Sequence, residues 1–370
     1  MSVGRRTALL FTGGPSLAGV PSHLVLRLVL AAAIAASPTL AAAADAFSRL
    51  SRLAQSAAGP GQVSVRFMGT STILVEADGA QVLVDGFFSR PTLGEMLSPT
   101  MPPKTGVIGQ ALARAGIEKP KLKAILVAHA HHDHAMDSAW IAHQLGAVLV
   151  GSDSVRHVAN GQGFAGKIHF QEIQGGQTIE VPVRAGIGRE AIQFRITAYC
   201  SPHSATWFSL KPLTQDLPKN AGALAYTAGP NYSYLIEYKG VRLLVHPSGG
   251  YRPGLYRGLR VDVLFLGLAR TGRLFHAGET EAYWREVVEE TQPSLVIPIH
   301  WDDFTKPIND PLPPLTWPVD NADLGLRRIL ALNAKLPVPY DIERMPIWSP
   351  VALPLKPRIH PAVPPVMVGC

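Results

Sequence analysis

Between Lys123 and His134 an apolar run, Ala124-Ile125-Leu126-Val127-Ala128, gives way at once to His129-Ala130-His131-His132-Asp133-His134. Such a run reads as a buried strand. Neither a regular helix nor a regular strand aims this many imidazoles at one point, so the cluster is expected on an irregular loop at the strand's end. Neutral imidazole nitrogens ligate borderline metals such as zinc, and a carboxylate oxygen adds charge compensation and can serve as a base. The chain is therefore read as one that folds around a metal centre.

Two later histidines also follow apolar, strand-like runs: His203 in Tyr199-Cys200-Ser201-Pro202-His203-Ser204, and His300 in Ile297-Pro298-Ile299-His300-Trp301. The spacing His129-x-His131-x-Asp133-His134, followed by these two, resembles the signature of the metallo-β-lactamase superfamily. The resemblance spans about Val63 to Phe304 and implies an α/β fold, a four-layer αβ/βα sandwich. It further implies that His129, His131 and His203 hold one ion, and that Asp133, His134 and His300 hold a second. Zinc is the expected ion, in one or two copies, with manganese or iron as alternatives. The wording Ile299-His300-Trp301-Asp302-Asp303-Phe304 resembles the last-ligand loop in a branch related to ascorbate-phosphate lactonases and acyl-phosphatidylethanolamine phosphodiesterases.

One position of that pattern is not filled. The superfamily usually carries a Gly-Asp-Thr/Ser-Gly turn whose Asp bridges the metals, whereas here the turn reads Val245-His246-Pro247-Ser248-Gly249-Gly250-Tyr251. Ser248 stands in for the Asp in one alignment, and His246 can do so if the loop is shifted; a third alignment places Pro247 there, which cannot ligate. A neutral ligand offsets less of the charge of two divalent ions, so a single-metal or asymmetric centre is an alternative. Asp85, which closes the strand Gln81-Val82-Leu83-Val84, resembles an acidic residue that orients a metal-bound histidine in many members. A turn-forming Asp is the other reading.

At 370 residues, 47% hydrophobic and 16% charged, the chain can bury a full core. Residues 1–44 read as a signal peptide: Arg5-Arg6, an apolar stretch from Leu24 to Ala36, then small residues through Ala44. Arg5-Arg6-Thr7-Ala8-Leu9-Leu10 resembles a twin-arginine signal, and the expected address is periplasmic or secreted. Arg27 and Pro38 interrupt the apolar stretch and argue against a lasting membrane span. Cleavage removes three arginines and takes the net charge from +7 to +4. That mild positive sign suits anionic substrates, while no basic cluster interleaved with aromatics points to nucleic acid. Cys200 and Cys370 are the sole cysteines, too few for a disulfide framework, and whether they pair is left open. Cys200 either approaches the metal or packs as a small buried hydrophobe.

The hydrolase domain is read as 45–305 and the Pro-rich remainder, 306–370, as a C-terminal strap on it, with one helix from Ala322 to Ala334. Hairpins are expected around Asp78-Gly79 and Lys239-Gly240, the second echoing the first, and helices over Phe47–Gln55, Val107–Ala115, from Asp137 or Ser138 onward, and Glu279–Thr291. Phe87, Phe88 and Met101 read as core before groove. The stretch Ala205–Asn231 has no period; with Trp207, Phe208 and Leu210 it is a lid, an acyl-binding wall or an ordinary insertion. Arg270, Arg273 and His276 meet either an anionic group or solvent.

These features lead to a metal-dependent hydrolase in which Asp133 orients or deprotonates water, acting on an ester, lactone, amide or phosphodiester of a small-molecule or lipid-like substrate. The rivals are a lipid-directed phosphodiesterase of the cell envelope and a non-catalytic metal binder that lacks the bridging Asp.

Overall fold

Apolar runs on either side of Asp78-Gly79 make Ile73–Ala77 (β2) and Ala80–Val84 (β3) a hairpin, and Val63–Phe67 (β1) pairs antiparallel with β2. Both turn residues have positive φ, 46° and 82°, the conformation that matches the twist of a two-residue hairpin. Lys239-Gly240 repeats the device at 46° and 80° between Tyr232–Tyr238 (β9) and Val241–His246 (β10). The computed structural model describes residues 46–182, 193–204, 206, 208–272, 277–309, 311–316, 320–353 and 370. The signal segment, Trp207, Arg273 and His276 lie outside the described residues.

The remaining strands are Leu122–Leu126 (β4), Val148–Gly151 (β5), Phe170–Glu172 (β6), Thr178–Pro182 (β7), Gln193–Cys200 (β8), Val263–Gly267 (β11), Leu295–Ile299 (β12), Asp341–Ile342 (β13) and Val351–Ala352 (β14). They form two seven-stranded sheets, ordered β14-β1-β2-β3-β4-β5-β6 and β13-β12-β11-β10-β9-β8-β7. In each sheet three antiparallel pairings are followed by three parallel ones. The two sheets thus echo one another, as their hairpins do. Strands β3, β11 and β12 are buried throughout, which fits parallel strands covered on both faces. Helices such as Ser138–Leu145, packed on β4 and β5, complete an α/β sandwich.

Several expectations shift. The first helix ends at Arg49, and the helix from Ala277 continues beyond Tyr283 as a π-helical turn, Trp284–Glu289. Phe87, Phe88 and Met101 are core. The tail after Lys335 is more regular than its composition suggests, because β13 extends one sheet and β14 the other. Cys200 and Cys370 form a disulfide, with Cα atoms 5.4 Å apart. Among the described residues no helix is long and apolar enough to cross a membrane.

The sheets are stitched together at one end. Tyr232 N donates to Ala128 O and the Tyr234 hydroxyl to Val127 O, both at 2.9 Å, while His300 N donates to Thr70 O at 2.6 Å. Strands β3, β4, β8 and β12 all deliver their next residues to that end.

Candidate metal centre

Every residue of the centre leaves the C-terminal end of a strand. Asp85 follows β3, His129 follows β4, His203 follows β8, and His300 follows β12. Asp85 and His300 take positive φ, 58° and 52°, a costly conformation for residues with a Cβ, and one that turns each sharply out of its strand. Beyond His131 the chain is not an irregular loop throughout. His132–Ala135 is a single helical turn with His131 at its N-cap.

The structure gathers the candidate ligands into two groups, His129–His131–His203 and Asp133–His134–His300, with ligand atoms in each group within 4.8 Å of one another. In the first, His129 Nε2 and His131 Nδ1 are 3.0 Å apart. In the second, His300 Nε2 lies 3.2 Å from His134 Nε2 and 3.3 Å from Asp133 Oδ2, and the last two are 3.6 Å apart. Tetrahedral ligands at about 2.0–2.1 Å from an ion are separated by about 3.3–3.4 Å, so the second group fits a zinc-sized ion. The groups adjoin, the His129 and His134 rings lying 4.0 Å apart.

Partners on the far nitrogens fix which atom faces inward. His134 Nδ1 donates to Asp85 Oδ2 at 2.8 Å, His203 Nδ1 to Ser204 O at 2.6 Å, and His131 Nε2 to Ser209 O at 3.2 Å. Asp85 is held in turn by the Ser71 hydroxyl and by Ala128 N at 2.8 Å. Its side chain thus makes the contact expected of a residue that orients His134, while its backbone makes the turn out of β3.

Protonation follows from burial. Burial and the neighbouring imidazoles push His129 well down; burial, with His203 alongside, pushes His131 down to about 3; burial lowers His203 to about 4. Burial pushes Asp133 up, but the imidazoles of His134 and His300 outweigh it and hold the carboxyl well below its usual range. Burial also lowers His134, yet Asp85 and Asp133 reverse the sign and raise it. Neutral imidazoles and an ionised carboxylate are the forms that bind a cation.

Not every candidate joins the centre. His132 belongs to neither group; its ring lies among Phe87, Phe208, Tyr226 and Phe304. His246 is fully buried with both nitrogens engaged elsewhere: Nδ1 accepts from the Ser233 and Tyr256 hydroxyls, and Nε2 donates to Gly250 O at 2.8 Å. It therefore does not take the place of the bridging Asp. The Ser248 hydroxyl accepts from Ser204 N at 3.0 Å and braces the loop that carries His203. Gly250 lets that loop come close, since a Cβ there would meet Pro202 O at 2.1 Å.

Asp137 does not cap its own helix. It accepts from Phe88 N, Ser89 N and the Ser89 hydroxyl, and burial pushes it up to about 6. Asp302, two residues past His300, is buried against Arg90 at 2.6 Å and accepts from Thr70 N at 2.7 Å. Sequence reasoning missed Ser71, Arg90 and Ser209. Ser209 acts through its carbonyl, which leaves no trace in side-chain pattern. A cavity of about 290 Å³ opens beside His203, with Ser204, Gly250, Tyr251, Arg270 and Thr280 in its wall.

The metallo-beta-lactamase superfamily profile matches residues 65–203, which carry five of the six candidate ligands. A UPF0173 metal-dependent hydrolase of Methanopyrus kandleri is 26% identical over 255 residues, 67% of this chain and 87% of its own length. Among solved structures, Igni18, a metallo hydrolase of Ignicoccus hospitalis, aligns with 80% of this chain and 100% of its own at TM-score 0.45 and 15% identity. Zinc-bound PqqB of Methylobacterium extorquens aligns with 76% of this chain and 87% of its own at TM-score 0.44 and 13% identity. None of these relatives singles out the lactonase or phosphodiesterase branch.

Proposed function

Because this chain is a metal-dependent hydrolase of the metallo-β-lactamase superfamily, we propose that its two ligand groups act as one centre that hydrolyses an ester, lactone, amide or phosphodiester bond of a small molecule. The observation that carries this reading is the close approach of the groups, 4.0 Å between the His129 and His134 rings, with Asp133 in the second group. Zinc suits the nitrogen-rich donor set, with manganese or iron as alternatives. An ion held by these groups would lower the pKa of water from about 15.7 towards about 7 and would offset charge on an oxygen.

The chain's own residues do the rest. Asp133 turns Oδ2 into the second group, while Oδ1 stands 3.9 Å from His132 Nδ1, beyond hydrogen-bonding distance. That oxygen is available to orient water and accept its proton. Asp85 keeps His134 in the Nδ1–H tautomer, and Ser209 does the reverse for His131, so the inward nitrogens present lone pairs rather than protons. With no carboxylate at the Ser248 turn, the second group depends on Asp133 alone for negative charge.

The test pairs metal analysis of purified protein with a panel of ester, lactone, β-lactam and phosphodiester substrates. Turnover of at least one class is expected, falling about 10²–10⁴-fold in Asp133→Asn. A fully metallated wild type inert across the panel overturns the reading. Export directed by residues 1–44 is part of the same proposal; the Cys200–Cys370 pair supports an oxidising compartment. A reporter fused to residues 1–44 that stays in the cytoplasm defeats it.

A further inference from the structure

Among the described residues ten other than glycine take positive φ, and four of them meet beside the second ligand group: Thr70 at 50°, Asp85 at 58°, Arg90 at 45° and His300 at 52°. Each conformation is costly for a residue with a Cβ and persists only where its surroundings hold it. Strain gathered at one place therefore marks a site under functional constraint. Asp85 and His300 are already parts of the centre, which leaves Thr70 and Arg90 to account for.

The answer lies in a buried ion pair. The side chains of Arg90 and Asp302 are 3% and 0% exposed, and Arg90 Nη1 donates to Asp302 Oδ2 at 2.6 Å. Arg90 Nη2 reaches Met68 O at 3.4 Å, while Asp302 Oδ1 accepts from Thr70 N at 2.7 Å. Thr70 O in turn accepts from His300 N at 2.6 Å. Thr70 is thus gripped at its N–H by Asp302 and at its carbonyl by His300. Gly69 lets the pair lie against this backbone, since a Cβ there would collide with the Arg90 guanidinium and the Asp302 carboxylate.

A buried ion pair is not needed for stability, because apolar side chains of like volume often do as well or better. What it supplies is direction. A planar guanidinium and a carboxylate lock three segments in one relative placement: the turn between β1 and β2, the stretch after β3 and the loop after β12. Asp85, five residues before Arg90, receives His134 Nδ1 and the Ser71 hydroxyl. The stretches 68–71 and 85–90 therefore support both histidines of the second group. In the first group His131 leans on Ser209 and His203 on Ser204, which belong to another segment.

We propose that Arg90 and Asp302 are positioning residues that set His300, and through it the affinity of the second ligand group for its ion, without bearing on the first group. This rests on the reading of the two groups as ion sites and is independent of which bond is hydrolysed. A role through charge has the opposite sign for one variant: removing the Arg90 cation would tighten cation binding if its charge mattered, and weakens it if its geometry does.

The probe is cobalt(II), titrated into the metal-free full-length protein and followed by calorimetry and by visible absorption. The wild type is expected to take up two equivalents. Arg90→Gln should weaken the second about 10–100-fold and leave the first unchanged, with the absorption from the second ion altered. Asp302→Asn keeps an acceptor for Thr70 N and should lose less than Asp302→Ala. Each single change leaves a buried group without its partner, so the apolar pair Arg90→Met with Asp302→Leu keeps the test decisive if the single variants unfold. That double variant should melt near the wild-type temperature and keep the first equivalent, yet lose the tight second one. Undiminished binding at the second group in the double variant, equal weakening of both groups, or tighter binding in Arg90→Gln overturns the proposal while leaving the centre in place. A wild type that takes up a single equivalent overturns it differently, by removing the two-ion centre on which it rests.

Discussion

Asp85 shows how much of a metal centre lies one bond away from the ligands. It receives His134 Nδ1, the Ser71 hydroxyl and Ala128 N, and so fixes both a ligand's tautomer and the start of the ligand loop. Asp85→Ala is expected to weaken metal binding about 10–100-fold, read by competition with a chromophoric chelator. Wild-type affinity in that variant would mean that Asp85 serves the turn alone. The buried imidazoles set a second expectation. His131 and His203 have native values of about 3 and about 4, below the unfolded value near 6.5. As pH falls through 6.5 the unfolded chain takes up protons that the native metal-free protein refuses, and stability drains away towards those native values. His134, raised, works in the opposite sense but is outnumbered by His129, His131, His132, His203 and His246, all lowered. The urea midpoint of the metal-free protein should therefore be lower at pH 5 than at pH 7.5; a flat or rising profile contradicts this. The six candidate ligands were legible as candidates because they fall in three segments, each after an apolar run that reads as a strand. His246 was misleading for the same reason: it too ends a strand, and only the hydroxyls of Ser233 and Tyr256, which approach from elsewhere in the fold, reveal that its ring is already engaged.

Among the elements, the turn after β10 stands where a bridging carboxylate was looked for, and it has become a support for the neighbouring loop. Ser248 holds Ser204 N, and Gly250 leaves room for the backbone of Pro202 and His203. Gly250→Ala should push the His203 loop outward and empty the first ligand group while sparing the second, since Asp133, His134 and His300 come from other strands. Metal titration of the variant is expected to show one tight equivalent; two tight equivalents would mean that the loop absorbs the methyl at no cost. Sequence pattern reached both hairpins because Asp-Gly and Lys-Gly carry a positive-φ signal that only two-residue turns need. It failed on β13 and β14, where two residues per strand are too few for alternation to register, and on the His132–Ala135 turn, shorter than one helical repeat of pattern. The stretch 208–231 had no period to read because contacts with the rest of the fold order it. Leu213 N donates to the Ser154 hydroxyl and Leu217 N to His157 O, both on the helix Asp153–Ala159.

At the scale of the whole molecule, the Pro-rich tail closes both sheets. β13 covers the free edge of β12, β14 covers that of β1, and the helix Ala322–Asn333 packs against the helices Ala46–Arg49 and Ala277–Tyr283. Its apolar side chains are core: Leu326, Ile329, Met345, Val351 and Leu353 are all buried. At about 1.5–3 kcal/mol for each fully buried side chain, their loss amounts to on the order of 10 kcal/mol. That rivals the entire stability of a typical domain, about 5–15 kcal/mol. Removing the tail also bares two strand edges, each a template for pairing with another chain. A chain ended at Phe304 keeps all six candidate ligands, yet it is expected to be insoluble or unfolded, whereas the full chain should unfold in one cooperative transition. Circular dichroism melts and metal content of the two forms decide the matter. A truncated protein that binds metal and melts at the full-length temperature would make the tail an accessory strap after all, and would place the stability of the centre wholly within the residues before it.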